Sequence, residues 1–175
     1  MKDTSRRNRA VSLAQKLLKE HGYALPIDVE SLINKHGIHI RHQPMEESVS
    51  GMLVIKNERA TIGVNQTHHP NRQRFTLAHE LGHYLLHRKR TQVFVDSSTM
   101  FFRGGLAAEG TDKVEIEANA FAAELLMPEN VLRDITRHQP VDAFDDRAVQ
   151  SLAVKFGVSV RALTIRLTKL GLGSL

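Results

Sequence analysis

Apolar positions recur at helical spacing through most of the chain and alternate only in its first third. Val11, Ala14, Leu17 and Leu18 share one face of a first helix, which Thr4 or Ser5 can cap and Gly22 stops. A second helix, begun near Pro26 and stopped by Gly37, turns Ile27, Leu32 and Ile33 inward. Three short β-branched runs follow, IHIRHQ, SGMLVIK and ATIGVNQ, with KNER as the turn between the last two. They predict a small, largely antiparallel three-stranded sheet. Helical spacing returns over about 71–87, where Phe75, Ala78, Gly82, Leu85 and Leu86 recur. TQVFVDSSTMFFRGGLAAEGTD then mixes a strand-like piece with Gly-rich sequence and predicts a mobile loop between Thr91 and Asp112. KVEIEANAFAAELLMP is a strong helix ended by Pro128, and ENVLRDITRH and two segments around SLAVKFGVSVRALTIRL are helical as well. The pattern as a whole is α+β and mostly helical, with no internal repeat. Residues 1–140 form one unit, and 141–175 form a helical segment packed on it.

Composition narrows the chemistry. A chain of 175 residues is long enough to bury a real core. It contains no cysteine, so any transition metal must be held by His, Asp or Glu. The charged N-terminal stretch lacks a signal peptide's apolar run, and no stretch approaches membrane-spanning length, so the expectation is a cytoplasmic protein with no membrane partner. The net charge of +5 includes clusters at Arg6, Arg7 and Arg9 and at Arg88, Lys89 and Arg90. Such clusters suit nucleic acid or an acidic partner, although solvated helix ends are their commoner meaning.

The chemistry concentrates in FTLAHELGHYLLH, residues 75–87. His79 and His83 are four apart, so a helix sets them one turn apart on one face, where both reach a single zinc ion. Glu80 is rotated around the helix, clear of direct ligation but within reach of a metal-bound water. Zinc lowers the pKa of that water from about 15.7 to about 7, and Glu80 is the candidate base for the remaining proton. The bland alternative is an amphipathic helix with hydrogen-bonded histidines. His87 lies one turn further, too far for easy ligation, and His68 and His69 belong to the loop before Pro70.

A catalytic zinc usually takes a third protein ligand. Leu86 and Lys89 stand where a metzincin needs Gly and His, which excludes that class. The alternative is a carboxylate from a second helix, and Glu115, Glu117 and Glu124 are available. Glu117 is the first choice, because it aligns with Ala120, Phe121 and Glu124 while Glu115 points to the opposite side. Gly82 and Ala118, Ala120, Ala122 and Ala123 permit close approach of the two helices, and Asn119 can hydrogen-bond a ligand.

FTLAHELGHYLLH followed by EIEANAFAAELLMP resembles the ImmA/IrrE family of bacterial and phage zinc metallopeptidases, and the order of the flanking segments is similar over most of the chain. The resemblance implies a zincin-like fold of the gluzincin type with one catalytic Zn2+. It implies His79, His83 and Glu117 as metal ligands and Glu80 as catalytic base. The implied activity is cleavage of a helix-turn-helix transcriptional repressor encoded nearby, relieving repression of a mobile element, a toxin-antitoxin-like pair or a stress-response locus. The loop from Thr91 to Asp112 has no counterpart in the family pattern and is expected to shape the cleft. Tyr84, His87 and His138 are guesses for the group that stabilises the oxyanion.

The C-terminal segment carries a rival reading. RAVQSLAVKFGVSVRALTIRLTKLG has the outline of a helix-turn-helix, with Gly157 at the turn, Ser159 as cap, and Arg161, Thr164, Arg166 and Lys169 able to face DNA. On that reading the chain is a non-cleaving, peptidase-like regulator that binds a repressor or DNA. The alternative for these helices is simple packing on the rest of the protein.

Overall fold

The computed structural model describes residues 2–88, 93–97, 109–138 and 146–172. Helix α1 (Lys2–His21) buries Ala10, Ala14, Leu17 and Leu18, the stripe its spacing predicts. It starts ahead of Thr4 and Ser5, so neither residue caps it. Helix α2 (Val29–Lys35) is capped by Asp28, whose carboxylate accepts from the Ser31 N–H at 2.9 Å.

The sheet is largely antiparallel, as expected, but has one strand more. It has four strands, β1 (His39–Gln43), β2 (Val49–Lys56), β3 (Arg59–Asn65) and β4 (Val93–Ser97), in the order β1-β3-β2-β4. The strand-like piece inside the expected loop supplies the fourth. β1 lies beside β3 and runs parallel to it, whereas the β2–β3 and β2–β4 pairings are antiparallel. The β2–β3 turn has positive φ at both Asn57 (50°) and Glu58 (63°), the mirror-image turn whose twist suits a two-residue hairpin. The rest of the expected loop, residues 91–92 and 98–108, lies outside the described residues.

Helix α3 (Pro70–His87) crosses the sheet. His69 Nδ1 accepts from the Asn71 N–H at its start, and Pro70 occupies the first turn, where its missing N–H costs nothing. Two arginines fix its approach. Arg72 donates to Ser50 Oγ at the start of β2 (2.8 Å), and Arg74 donates to the carbonyls of Ile27 (2.9 Å) and Gly157 (3.1 Å). Leu77, Ala78 and Leu81 of α3 join Leu53, Ile62 and Val64 of the sheet in a core wholly shielded from water. Each such leucine contributes roughly 1.5–3 kcal/mol by leaving water.

Helix α4 (Glu109–Leu126) packs against both α1 and α3 and adds Phe121, Ala122 and Leu125 to the same core. α5 (Glu129–His138) follows directly. α6 (Asp146–Phe156) and α7 (Val160–Leu170) meet at 100°, and the core continues into them through Val149, Leu152, Phe156, Leu163 and Leu167. At their turn Gly157 has φ +63°, and a Cβ there would lie 3.0 Å from Arg74 Nε. Only glycine allows both that backbone and Arg74's approach. Ser159 caps α7 by accepting from the Ala162 N–H (3.2 Å). Among the described residues no single helix is long and apolar enough to cross a membrane.

Candidate metal centre

His79 and His83 sit mid-way along α3, both about 1% exposed. Their Nε2 atoms are 2.9 Å apart, as side chains one helical turn apart can be when both rings turn the same way. The neighbouring helix α4 presents Asn119 and Glu115 to them. His79 Nδ1 lies 3.1 Å from Asn119 Oδ1, an acceptor that places the ring proton on Nδ1 and leaves the Nε2 lone pair directed into the site. Glu115 meets both rings, its Oε2 3.1 Å from His79 Nε2 and its Oε1 3.1 Å from His83 Nε2.

These three groups suit a divalent ion. Their donor atoms lie within 4.8 Å of one another, and two imidazoles with one carboxylate form a common catalytic zinc set. The carboxylate is kept ionised, as ligation requires. Burial alone would raise the Glu115 pKa, but the contacts with His79 and His83 outweigh it and hold the group at about 2.

Glu117, the expected third ligand, does not join the histidines. Its Oε2 is 3.5 Å from His87 Nε2 and its Oε1 is 3.9 Å from Arg6 Nε on α1. That Glu115 and not Glu117 stands beside the histidines has a simple geometric cause. Glu115, Ala118, Ala122 and Leu125 form one stripe of α4, and Ala118 backs directly onto Gly82 of α3. Glu117, Phe121 and Glu124 form the next stripe, whose two carboxylates meet Arg6 and Gln15 of α1. Two positions rotate a helix by roughly 200°, so the two carboxylates reach different groups, Glu115 the His79–His83 pair and Glu117 His87 and Arg6.

Glu80 is fully buried beside β2. Gly51 explains how the strand comes so close, since a Cβ there would lie 2.4 Å from Thr76 Cγ2, 2.8 Å from the Gly63 carbonyl and 3.9 Å from Glu80 Oε1. The sequence reading missed Gly51. Its signal was a glycine inside a β-branched run, which marks close approach of another element. Gly82 does the same between helices, since a Cβ there would lie 3.0 Å from Phe121 Cδ1 and 3.3 Å from Ala118 Cα.

The three guesses for an oxyanion group fall in different places. His87 is buried, its ring 5.6 Å from that of His83, with Glu117 beside it. The Tyr84 hydroxyl accepts from Arg88 (2.9 Å), whose guanidinium also lies over the ring. His138 is at the exposed end of α5, its Nδ1 2.8 Å from the Asp134 carbonyl. Of the four α7 side chains expected to face DNA, Arg166 is buried instead. It ion-pairs with Glu124 and donates to the Met127 carbonyl at 3.2 Å.

The two-histidine, one-glutamate cluster, with a buried glutamate inside the HExxH run, stands in a chain that matches a known family. The profile of the IrrE N-terminal-like domain, peptidase family M78, matches residues 33–168. The chain belongs to this family. This IrrE-like chain is 30% identical over 118 residues to the uncharacterized immunity region protein 2 of Bacillus phage phi105, covering 67% of this chain and 68% of that protein. Its fold is similar to that of a Mycobacterium tuberculosis transcriptional regulator, with a TM-score of 0.62 over 94% of the chain at 18% identity. The chain spans 49% of the length of that regulator.

Proposed function

We propose that the protein is a zinc-dependent endopeptidase that cleaves a helix-turn-helix transcriptional repressor and so relieves repression of a mobile-element, toxin-antitoxin-like or stress-response locus. The observation that carries this reading is the convergence of His79, His83 and Glu115 beside the buried Glu80. Membership of a peptidase family and similarity to a phage immunity-region protein support it.

Held by His79, His83 and Glu115, the ion would polarise a peptide carbonyl and acidify water beside it. Glu80 then takes a proton from the attacking water and returns it to the leaving amine as the C–N bond breaks. Its burial against Gly51 keeps bulk water from competing for the carboxylate. Asn119 fixes the His79 ring, and α3 and α4 together hold the donors in place.

The test is to load the purified chain with zinc and incubate it with the helix-turn-helix repressor encoded beside its gene. We expect a discrete cleavage with the wild type. Glu80→Gln should keep zinc and lose turnover by about 10²-fold or more, the scale of a positioned general base. A variant that cleaves as well as wild type would sink the enzymatic reading and leave a regulator that only binds. The rival DNA reading is weakened by Arg166, which is engaged inside the protein. Fluorescence anisotropy with duplex DNA at low salt, where phosphate contacts are strongest, is expected to detect no specific binding.

A further inference from the structure

A groove of about 490 Å³ lies between α1, α4 and α7, beside the candidate metal centre. Its size is that of pockets which bury several apolar groups at once. Two observations connect it to the chemistry. Asn119, which holds the His79 ring, also lines the groove, as does Phe75, whose ring lies 6.3 Å from that of His79. Two others describe what would fill it. Ile116 and Ile165 are each 46% exposed and both line it, leaving apolar surface in water on facing helices. The charged groups of its lining are Arg7, Arg166 and Lys169, with no carboxylate among the described residues. Arg166 is neutralised by Glu124, so the uncompensated charge of the lining comes from Arg7 and Lys169.

Building on the peptidase reading, we propose that this groove is the substrate-binding channel and takes an apolar polypeptide segment flanked by an acidic side chain. The apolar residues of the segment cover Ile116 and Ile165, and its carboxylate meets Lys169 or Arg7. The chain continuing past Phe75 and Asn119 then brings a peptide bond to His79. The basic rim selects the acidic partner, since a basic one would meet two like charges.

The test uses two fluorogenic decapeptides of Leu and Ala, one carrying two Asp and the other two Lys at the same end, with the zinc-loaded full chain. Wild type should cleave the Asp peptide with the lower KM. Lys169→Glu should raise that KM about five-fold and lower the KM for the Lys peptide, with kcat little changed. Ile165→Asp should raise both KM values about ten-fold, the loss of one buried apolar contact, and its exposure makes the substitution compatible with folding. The same peptides are titrated against Glu80→Gln by fluorescence anisotropy. Charge-selective binding without cleavage by the wild type would uphold the groove and reject the peptidase. Cleavage unaffected by either groove variant would do the reverse. Absence of both binding and cleavage would overturn the groove proposal, as would concentration-dependent dimerisation that Ile165→Asp abolishes, which would assign the groove to a second copy of the chain.

Discussion

Glu115 and Glu117 stand two positions apart on α4, and one substitution at each tests which of them holds the metal. Glu115→Ala removes one of three converging donors and should lower zinc affinity by more than about 100-fold, the upper range for changes just outside the ligand set. Glu117→Ala should keep zinc at full stoichiometry, and Asn119→Ala, which frees the His79 ring, should fall between them at about 10–100-fold. Competition against a chromophoric chelator measures all three. Loss of zinc from Glu117→Ala but not from Glu115→Ala would reverse the assignment. The proximity of His79 and His83 is legible in the sequence because one helix carries both, so spacing alone fixes their relation. The carboxylate was not. Both stripes of α4 are small or apolar enough to face another helix, and only the placement of α1 and α3 decides which carboxylate meets the histidines.

Helix separation is the corresponding control at the next scale. Gly82 lets α4 come close enough for Glu115 to touch both rings, with Phe121 and Ala118 already within van der Waals reach of any added Cβ. Gly82→Val should therefore force the two helices apart. Overpacking costs about 1–3 kcal/mol, while replacing a mid-helix glycine returns less than about 1 kcal/mol, so the net effect is destabilising. Zinc affinity should fall together with the melting temperature. A variant as stable as wild type and unchanged in zinc binding would show that the spacing has slack. The elements were readable to different depths. Helices with one apolar face and a capping residue, such as α7 with Ser159 and Gly171, follow from local chemistry. The sheet order did not, because β1 joins β3 across the β2–β3 hairpin, and strand pairing at that distance leaves no period in the sequence.

Across the whole molecule, Glu124 is, with Arg74, one of the residues that join the earlier helices to the C-terminal pair. It is fully buried, pairs with Arg166 of α7, accepts from Gln15 of α1 at 3.0 Å, and lies 3.4 Å from the Glu129 N–H at the start of α5. The sequence presented Glu124 as one of three candidate carboxylates and Arg166 as a candidate DNA contact. Neither could be recognised alone, because each is buried only through the other. Removing one member strands the other's charge in the core, which costs about 3–5 kcal/mol. Glu124→Ala should lower the urea midpoint accordingly and weaken the docking of α7, whereas Glu124→Met combined with Arg166→Met should recover much of the loss, since a packed apolar pair avoids the desolvation penalty. α7 also forms one wall of the groove through Ile165 and Lys169, so the single variant should impair peptide binding more than zinc binding. Measuring the two affinities side by side in Glu124→Ala tests that separation. An equal loss of both would mean that α7 supports the metal centre itself and not only the channel leading to it.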